Sequence, residues 1–132
     1  MAPRMAPAIT PDTEFFWNGL RDNKLLIQRC GGCGQLRHPP RPMCPNCRSL
    51  DWEAIESSGR GTVYSYVMPH EPRVPFFDYP YVVALVELEE GVRIVSNLTD
   101  IDPADVTVGM PVQVYFQTFD NDLALHQFRP AG

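Results

Sequence analysis

The chain has 132 residues, 44% hydrophobic and 20% charged, the size and make-up of one folded domain or of a domain carrying a small satellite module. A TIM barrel or a two-domain oxidoreductase is therefore excluded, and fourteen prolines argue against long helices and for a loop-rich, mostly β fold. The net charge of −5 divides into +4 over residues 1–50 and −9 over the remainder, an acidic surplus that opposes binding of a phosphate backbone by the C-terminal part.

Residues 1–9 read as a disordered lead-in without the apolar core of a secretory signal, so the expected compartment is the cytoplasm. Thr10 is placed to cap a helix, with Pro11 at the first helical position and Asp12 and Glu14 complementing its N-terminus. The helix is predicted to end near Arg21. It carries Phe15, Phe16, Trp17 and Leu20, more aromatic surface than a narrow stripe on a short helix buries, so Phe15, Phe16 and Trp17 are candidate partner contacts as well as candidate core.

Strands are predicted at Leu25 to Gln28 and Leu36 to His38, the second ended by Pro39, Pro40 and Pro42. Between and beyond them stand Cys30, Cys33, Cys44 and Cys47 in the pattern C-x2-C-x10-C-x2-C. Each C-x2-C pair forms a knuckle that turns two sulfurs toward one metal, and two knuckles make a closed tetrahedral site with no open position for catalysis. In a reducing compartment disulfides are disfavoured. Iron in a rubredoxin-like site uses the same donors; structural Zn2+ is the expectation because nothing else in the chain points to electron transfer. A strand from Trp52 to Ile55 leaves this zinc ribbon, and Ser57, Ser58, Gly59 and Gly61 mark a hinge, dividing the chain into 10–58 and 59–132.

The second module is predicted as strands at Thr62 to Met68, Tyr81 to Leu88, Val92 to Leu98, Val112 to Phe119 and Leu123 to Phe128. In the first, Val63, Ser65 and Val67 alternate with Tyr64, Tyr66 and Met68. Asp102, Pro103 and Asp105 signal one capped turn of helix before the fourth strand. Five strands with that insertion suggest a Greek-key barrel of the OB type, a small sandwich being the alternative. The segment from Pro69 to Pro80 is a proline-rich loop whose His70, Arg73, Phe76, Phe77 and Tyr79 are candidate partner contacts. None of His38, His70 and His126 stands in a nucleophile–base motif, so no catalytic residue is assigned; His126 is expected at the surface or barrel rim.

Several strings in this order resemble one family. They are Phe16-Trp17-Asn18-Gly19-Leu20, the four cysteines, Pro40-Arg41, Gly61-Thr62-Val63-Tyr64-Ser65-Tyr66, Pro80-Tyr81-Val82-Val83-Ala84-Leu85-Val86, Ser96-Asn97-Leu98, Gly109-Met110-Pro111-Val112 and Phe128-Arg129-Pro130. The family is the acyl-CoA-associated OB-fold proteins with a rubredoxin-like zinc ribbon, long catalogued as a domain of unknown function. The resemblance implies an accessory subunit rather than an enzyme. Its partner would be a thiolase-superfamily enzyme, such as a lipid-transfer-protein-like thiolase performing retro-aldol cleavage of a steroid side-chain CoA thioester, or an acyl-CoA hydratase. Arg48 departs from the pattern, a glycine being common after the second knuckle.

Because CoA carries several phosphate charges, a direct contact would draw on the basic half, where Arg37, Arg41 and Arg48 are candidates. Four thiolates with Zn2+ sum to −2, so the ribbon arginines also serve to offset the metal site. The competing reading is a single-stranded nucleic-acid binder stacking bases on Tyr64 and Tyr66, against which the acidic C-terminal part counts. The expected partners thus include no nucleic acid and, lacking about 18 consecutive apolar residues, no membrane.

Overall fold

The computed structural model describes residues 4, 6–71, 75, 80–119 and 123–131. Helix α1 spans Glu14–Arg21. It begins later than predicted: the Thr10 carbonyl accepts from the backbone N–H groups of Thr13 and Glu14 at 3.1 and 2.9 Å, making residues 11–13 a turn ahead of the helix. The reason is local, since the Thr13 hydroxyl engages Thr10, whose backbone N–H donates to it at 3.1 Å, and so does not cap the helix. The helix ends in a Schellman arrangement. Asn23 takes a φ of 59°, and the N–H groups of Asn23 and Lys24 return to the carbonyls of Leu20 and Gly19.

A three-stranded antiparallel sheet follows, with β1 (Leu26–Cys30) between β2 (Leu36–Arg37) and β3 (Trp52–Glu56). The register sets Gln28 opposite Arg37 and Cys30 opposite Trp52, so the first knuckle emerges from the end of the central strand. The remaining strands are β4 (Arg60–Val67), β5 (Val82–Leu88), β6 (Arg93–Leu98), β7 (Pro111–Thr118) and β8 (Ala124–Pro130). They close into a barrel in the order β4-β5-β6-β8-β7, with β4 pairing β7. One 3-10 turn, Pro103–Asp105, precedes β7, and its Ala104 N–H donates to the Asp102 carboxylate at 3.0 Å as the sequence predicts.

Strand β5 carries apolar residues on both faces because both are covered. Val82, Ala84, Val86 and Leu88 point into the barrel beside Val63, Ile94, Val112 and Phe128, while Val83 and Leu85 are half-buried on the outside. In β4 a register shift between Val63 and Ser65 breaks the predicted alternation. Val63 and Tyr66 turn inward; Tyr64 and Val67 turn out, Val67 to 61% exposure.

The segment joining ribbon to barrel is pinned rather than loose. The Ser57 hydroxyl and Ser58 N–H donate to the Glu90 carboxylate at 2.7 and 3.0 Å, the Ser58 hydroxyl donates to Glu89 at 2.8 Å, and Arg60 pairs with Glu89 at 2.9 Å. Gly59 lies here with a φ of 78°, and a Cβ on it would come within 2.2 Å of Val114. The lead-in also touches the barrel, since Arg4 donates to the Asn97 side chain at 2.8 Å. Among the described residues no helix is long and apolar enough to cross a membrane.

Candidate metal centre and the ribbon–barrel clefts

The two knuckles are built alike. In the first, the Gly34 N–H donates to the Cys30 carbonyl at 3.0 Å with Gly34 at a φ of 79°; in the second, the Arg48 N–H donates to the Cys44 carbonyl at 2.9 Å with Arg48 at a φ of 66°. Arg48 thus occupies, with a side chain, a left-handed position that favours glycine. The four sulfurs all lie within 4.8 Å of one another, with Cys30 to Cys47 at 3.4 Å and Cys33 to Cys44 at 3.7 Å. A tetrahedral centre with metal–sulfur bonds of about 2.3 Å places its sulfurs about 3.8 Å apart, so the cluster fits one metal ion held by thiolates alone.

The surroundings favour thiolate. Backbone N–H groups, that of Cys33 foremost and then that of Gly32, draw the Cys30 thiol down to about 6 against the opposing effect of burial. The Asn46 side chain, ahead of the Gln35 backbone, lowers Cys33. Cys47 goes the other way. The Ser49 backbone lowers it, but the Cys30 thiol beside it, burial and the two remaining thiols outweigh that and push it up to about 11. Four sulfurs at this distance do not all ionise without a cation between them.

Of the aromatic residues read as partner contacts, Phe16 is a correction. It faces the barrel at 4% exposure, edge-on to Trp17 at 5.1 Å and to His126 at 5.5 Å, and is spent on the chain's own core. Phe15 packs on Trp52 with ring centroids 4.7 Å apart, and both Phe15 and Trp17 are half-buried. His70 is exposed. Arg73, Phe76, Phe77 and Tyr79 lie outside the described residues.

His38 and His126 meet where the ribbon, α1 and barrel join. His126 is not a free rim residue: its Nε2 lies 3.0 Å from the Val95 carbonyl, its Nδ1 is buried without a partner among the described residues, and burial lowers its pKa. His38 sits 5.3 Å from the Phe16 ring, and burial, with nearby His126 adding to it, takes its pKa down to about 4. It is turned to this seam, where it borders the groove described next. The groove, about 520 Å3 in volume, is lined by Phe16, Trp17, His38, Pro39, Leu85 and His126 among others. Trp17 Nε1 is also buried without a partner among the described residues.

A second, polar cleft of about 380 Å3 adjoins the groove across His38, Pro39 and Arg93, which border both. It brings together Arg37 and Arg41 from the ribbon and Arg93 from β6; Arg48 is not among its lining residues. Sequence reasoning missed Arg93, which stands far from the other two along the chain. The pattern that places it is the β5–β6 hairpin, whose turn packs on the ribbon.

Comparison with known proteins gives this architecture a family. A model described as the ChsH2 rubredoxin-like zinc ribbon domain matches residues 17–53, and one described as the ChsH2 C-terminal OB-fold domain matches residues 54–117. A solved chain titled Ltp2-ChsH2(DUF35) aldolase superposes with a TM-score of 0.93 at 49% identity, covering 96% of this chain and 100% of that one. The chain belongs to the ChsH2/DUF35 family. Among its relatives, a probable enoyl-CoA hydratase alpha subunit of Thermomonospora curvata is 49% identical over 130 residues, 98% of this chain and 41% of that protein. The benzoylsuccinyl-CoA thiolase subunit BbsA of Thauera aromatica is 30% identical over 121 residues, 81% of this chain and 83% of that one. The chain spans about two-fifths of the hydratase subunit's length.

Proposed function

We propose that this ChsH2/DUF35 chain is a non-catalytic accessory subunit that docks on a thiolase-superfamily enzyme acting on CoA thioesters and is required for its full activity. The carrying observation is the disposition of its reactive groups. The four cysteines converge into a closed site, and His38 and His126 are packed into the helix–barrel seam, with no serine or further cysteine paired to either as a nucleophile among the described residues. The superposed chain's title names an aldolase, and two relatives are named as subunits of an enoyl-CoA hydratase and a benzoylsuccinyl-CoA thiolase, so CoA thioesters are the substrate chemistry those two names share. A retro-aldol cleavage of a steroid side-chain thioester is the form of that chemistry the sequence resemblance favours.

The metal is zinc in this reading, bound by Cys30, Cys33, Cys44 and Cys47; it supplies folding energy to the ribbon and no reaction step. A cytoplasmic location agrees with four cysteines used as thiolates. Docking draws on Phe15 and Trp17 and on the segment bearing His70, Arg73, Phe76, Phe77 and Tyr79. Co-expression with a thiolase-superfamily enzyme followed by size-exclusion chromatography tests it: the two should co-elute, and Phe76→Ala with Phe77→Ala should weaken the complex about tenfold or more while leaving zinc content unchanged. Separate elution of folded, zinc-loaded chain and enzyme would refute the reading. Nucleic-acid binding is disfavoured further by Tyr66, whose ring packs on the barrel core instead of offering a stacking face.

A further inference from the structure

Closure of the barrel pairs its strands all round, so the open strand edges among the described residues lie in the ribbon sheet, whose order is β2-β1-β3. The β2 edge is two residues long and runs directly into His38, Pro39 and Pro40. Strand β3 is the longer one, five residues with no proline, glycine or bulge to blunt it. Its register fixes which backbone groups are left over. The Gly31 N–H donates to the Asp51 carbonyl at 2.7 Å and the Ser57 N–H to the Leu25 carbonyl at 2.8 Å, so Asp51, Glu53, Ile55 and Ser57 are the residues that bond inward to the β1 side. Trp52, Ala54 and Glu56 alternate with them and turn their N–H and C=O groups outward, where no partner meets them among the described residues. All three residues are exposed.

We propose that β3 accepts an added strand, an extended basic segment of the partner enzyme that hydrogen-bonds along Trp52, Ala54 and Glu56. Main-chain bonds supply the affinity of such a pairing, and alternate side chains supply its selectivity. Trp52, Ala54 and Glu56 share one face of the sheet, so the small Ala54 leaves a notch between an indole and a carboxylate. An apolar residue opposite Ala54 fills that notch against Trp52, whose ring is already braced by Phe15 with centroids 4.7 Å apart. The next residue of the added strand on that face meets Glu56 and is best matched by lysine or arginine. Charge also decides between occupants. Asp51, Glu53 and Glu56 stand along this strand, and of the three Glu53 alone has an ion pair among the described residues, with Arg29. A second copy of the chain would set two such acidic strands side by side, which a basic segment avoids. The inference rests on the accessory-subunit reading for the source of the segment.

The test compares the full metal-loaded chain, free and in complex with a co-expressed thiolase-superfamily enzyme, by residue-resolved amide exchange. Glu53 and Ile55 bond to β1 and should be protected in both. Trp52, Ala54 and Glu56 should exchange freely in the free chain and slow about tenfold or more in the complex. Ala54→Pro deletes an outward N–H and leaves the bonds to β1 in place, so it should weaken the complex about tenfold or more with metal content and circular dichroism unchanged. Ala54→Ser keeps the N–H and should bind as the parent chain does. Glu56→Lys should weaken the complex and reduce its dependence on salt. A complex in which the three amides still exchange freely, or which Ala54→Pro leaves intact, would overturn the added strand while sparing the accessory role; tight binding by Glu56→Lys would overturn its basic character. A free chain that sediments as a dimer, and as a monomer with Ala54→Pro, would give the edge to a second copy and overturn the proposal. Absence of any complex would overturn the accessory reading and this inference together.

Discussion

Ribbon and barrel are held together by different physics. Barrel strands bury a continuous apolar interior in which Val63, Ala84, Val86, Ile94, Val112 and Phe128 are essentially inaccessible, and burial of this kind contributes about 1.5–3 kcal/mol for each large side chain. The ribbon has a two-residue strand, a three-stranded sheet and a loop carried by Gln28, with much of β3 exposed. Ile27 of β1 joins the same apolar core as the barrel, whereas the two knuckles close on the four sulfurs alone. The barrel is thus held by its core, and the knuckles are conditional on an ion.

The largest effect should come from breaking the conditional region. Cys44→Ser, or removal of the metal by a chelator, should abolish metal binding and unfold the knuckles while the barrel persists, since a structural metal such as zinc contributes on the order of 10 kcal/mol to small sites of this kind. Hydrogen exchange resolved by segment checks it: the knuckles, residues 30–48, should lose protection and β4 to β8 retain it. The converse is Phe128→Ala, which removes a fully buried ring at the β6–β8 contact and should cost about 3–5 kcal/mol in denaturant titration, with zinc still bound by the folded fraction.

The seam between the regions should respond to acid. His38, with its pKa lowered to about 4 by burial and by His126, is neutral in the folded chain. Unfolded, it takes up a proton near 6.5, so its contribution is complete above that pH and is lost as pH falls toward 4, by about 2–3 kcal/mol in all. His38→Gln should flatten the stability profile across that window relative to the parent chain, measured with zinc in excess. The smallest effect is at Arg48, whose φ of 66° costs a side chain what it does not cost glycine. Arg48→Gly should be neutral or stabilise the metal-bound chain by up to about 1 kcal/mol in thermal melts.

The same contrast explains what was legible in the sequence. Cysteine spacing and strand periodicity are local signals, and the ribbon, the barrel strands and the Asp102 cap follow from them. The shift in β4 is not local: only the pairing with β5 shows that Tyr66, not Ser65, shares the inner face with Val63. The sequence leaves Phe16 open between partner contact and core and points His126 to the surface or barrel rim, because nothing in their neighbours along the chain announces that α1 lies on β8; the edge-on contact between their rings does. Arg37 and Arg41 stand out in the sequence as basic residues, but Arg93 joins them only through the β5–β6 turn, and Arg48 does not line their cleft.

The most direct test of an accessory role is turnover of CoA thioester by a thiolase-superfamily partner reconstituted with this chain. With zinc-loaded wild-type chain the complex should be fully active, and with His70→Gln it should keep most of that activity. Either partner alone should show little. Turnover by the isolated chain, or its abolition by His70→Gln in a complex that remains assembled, would place a catalytic group on this chain and contradict the account.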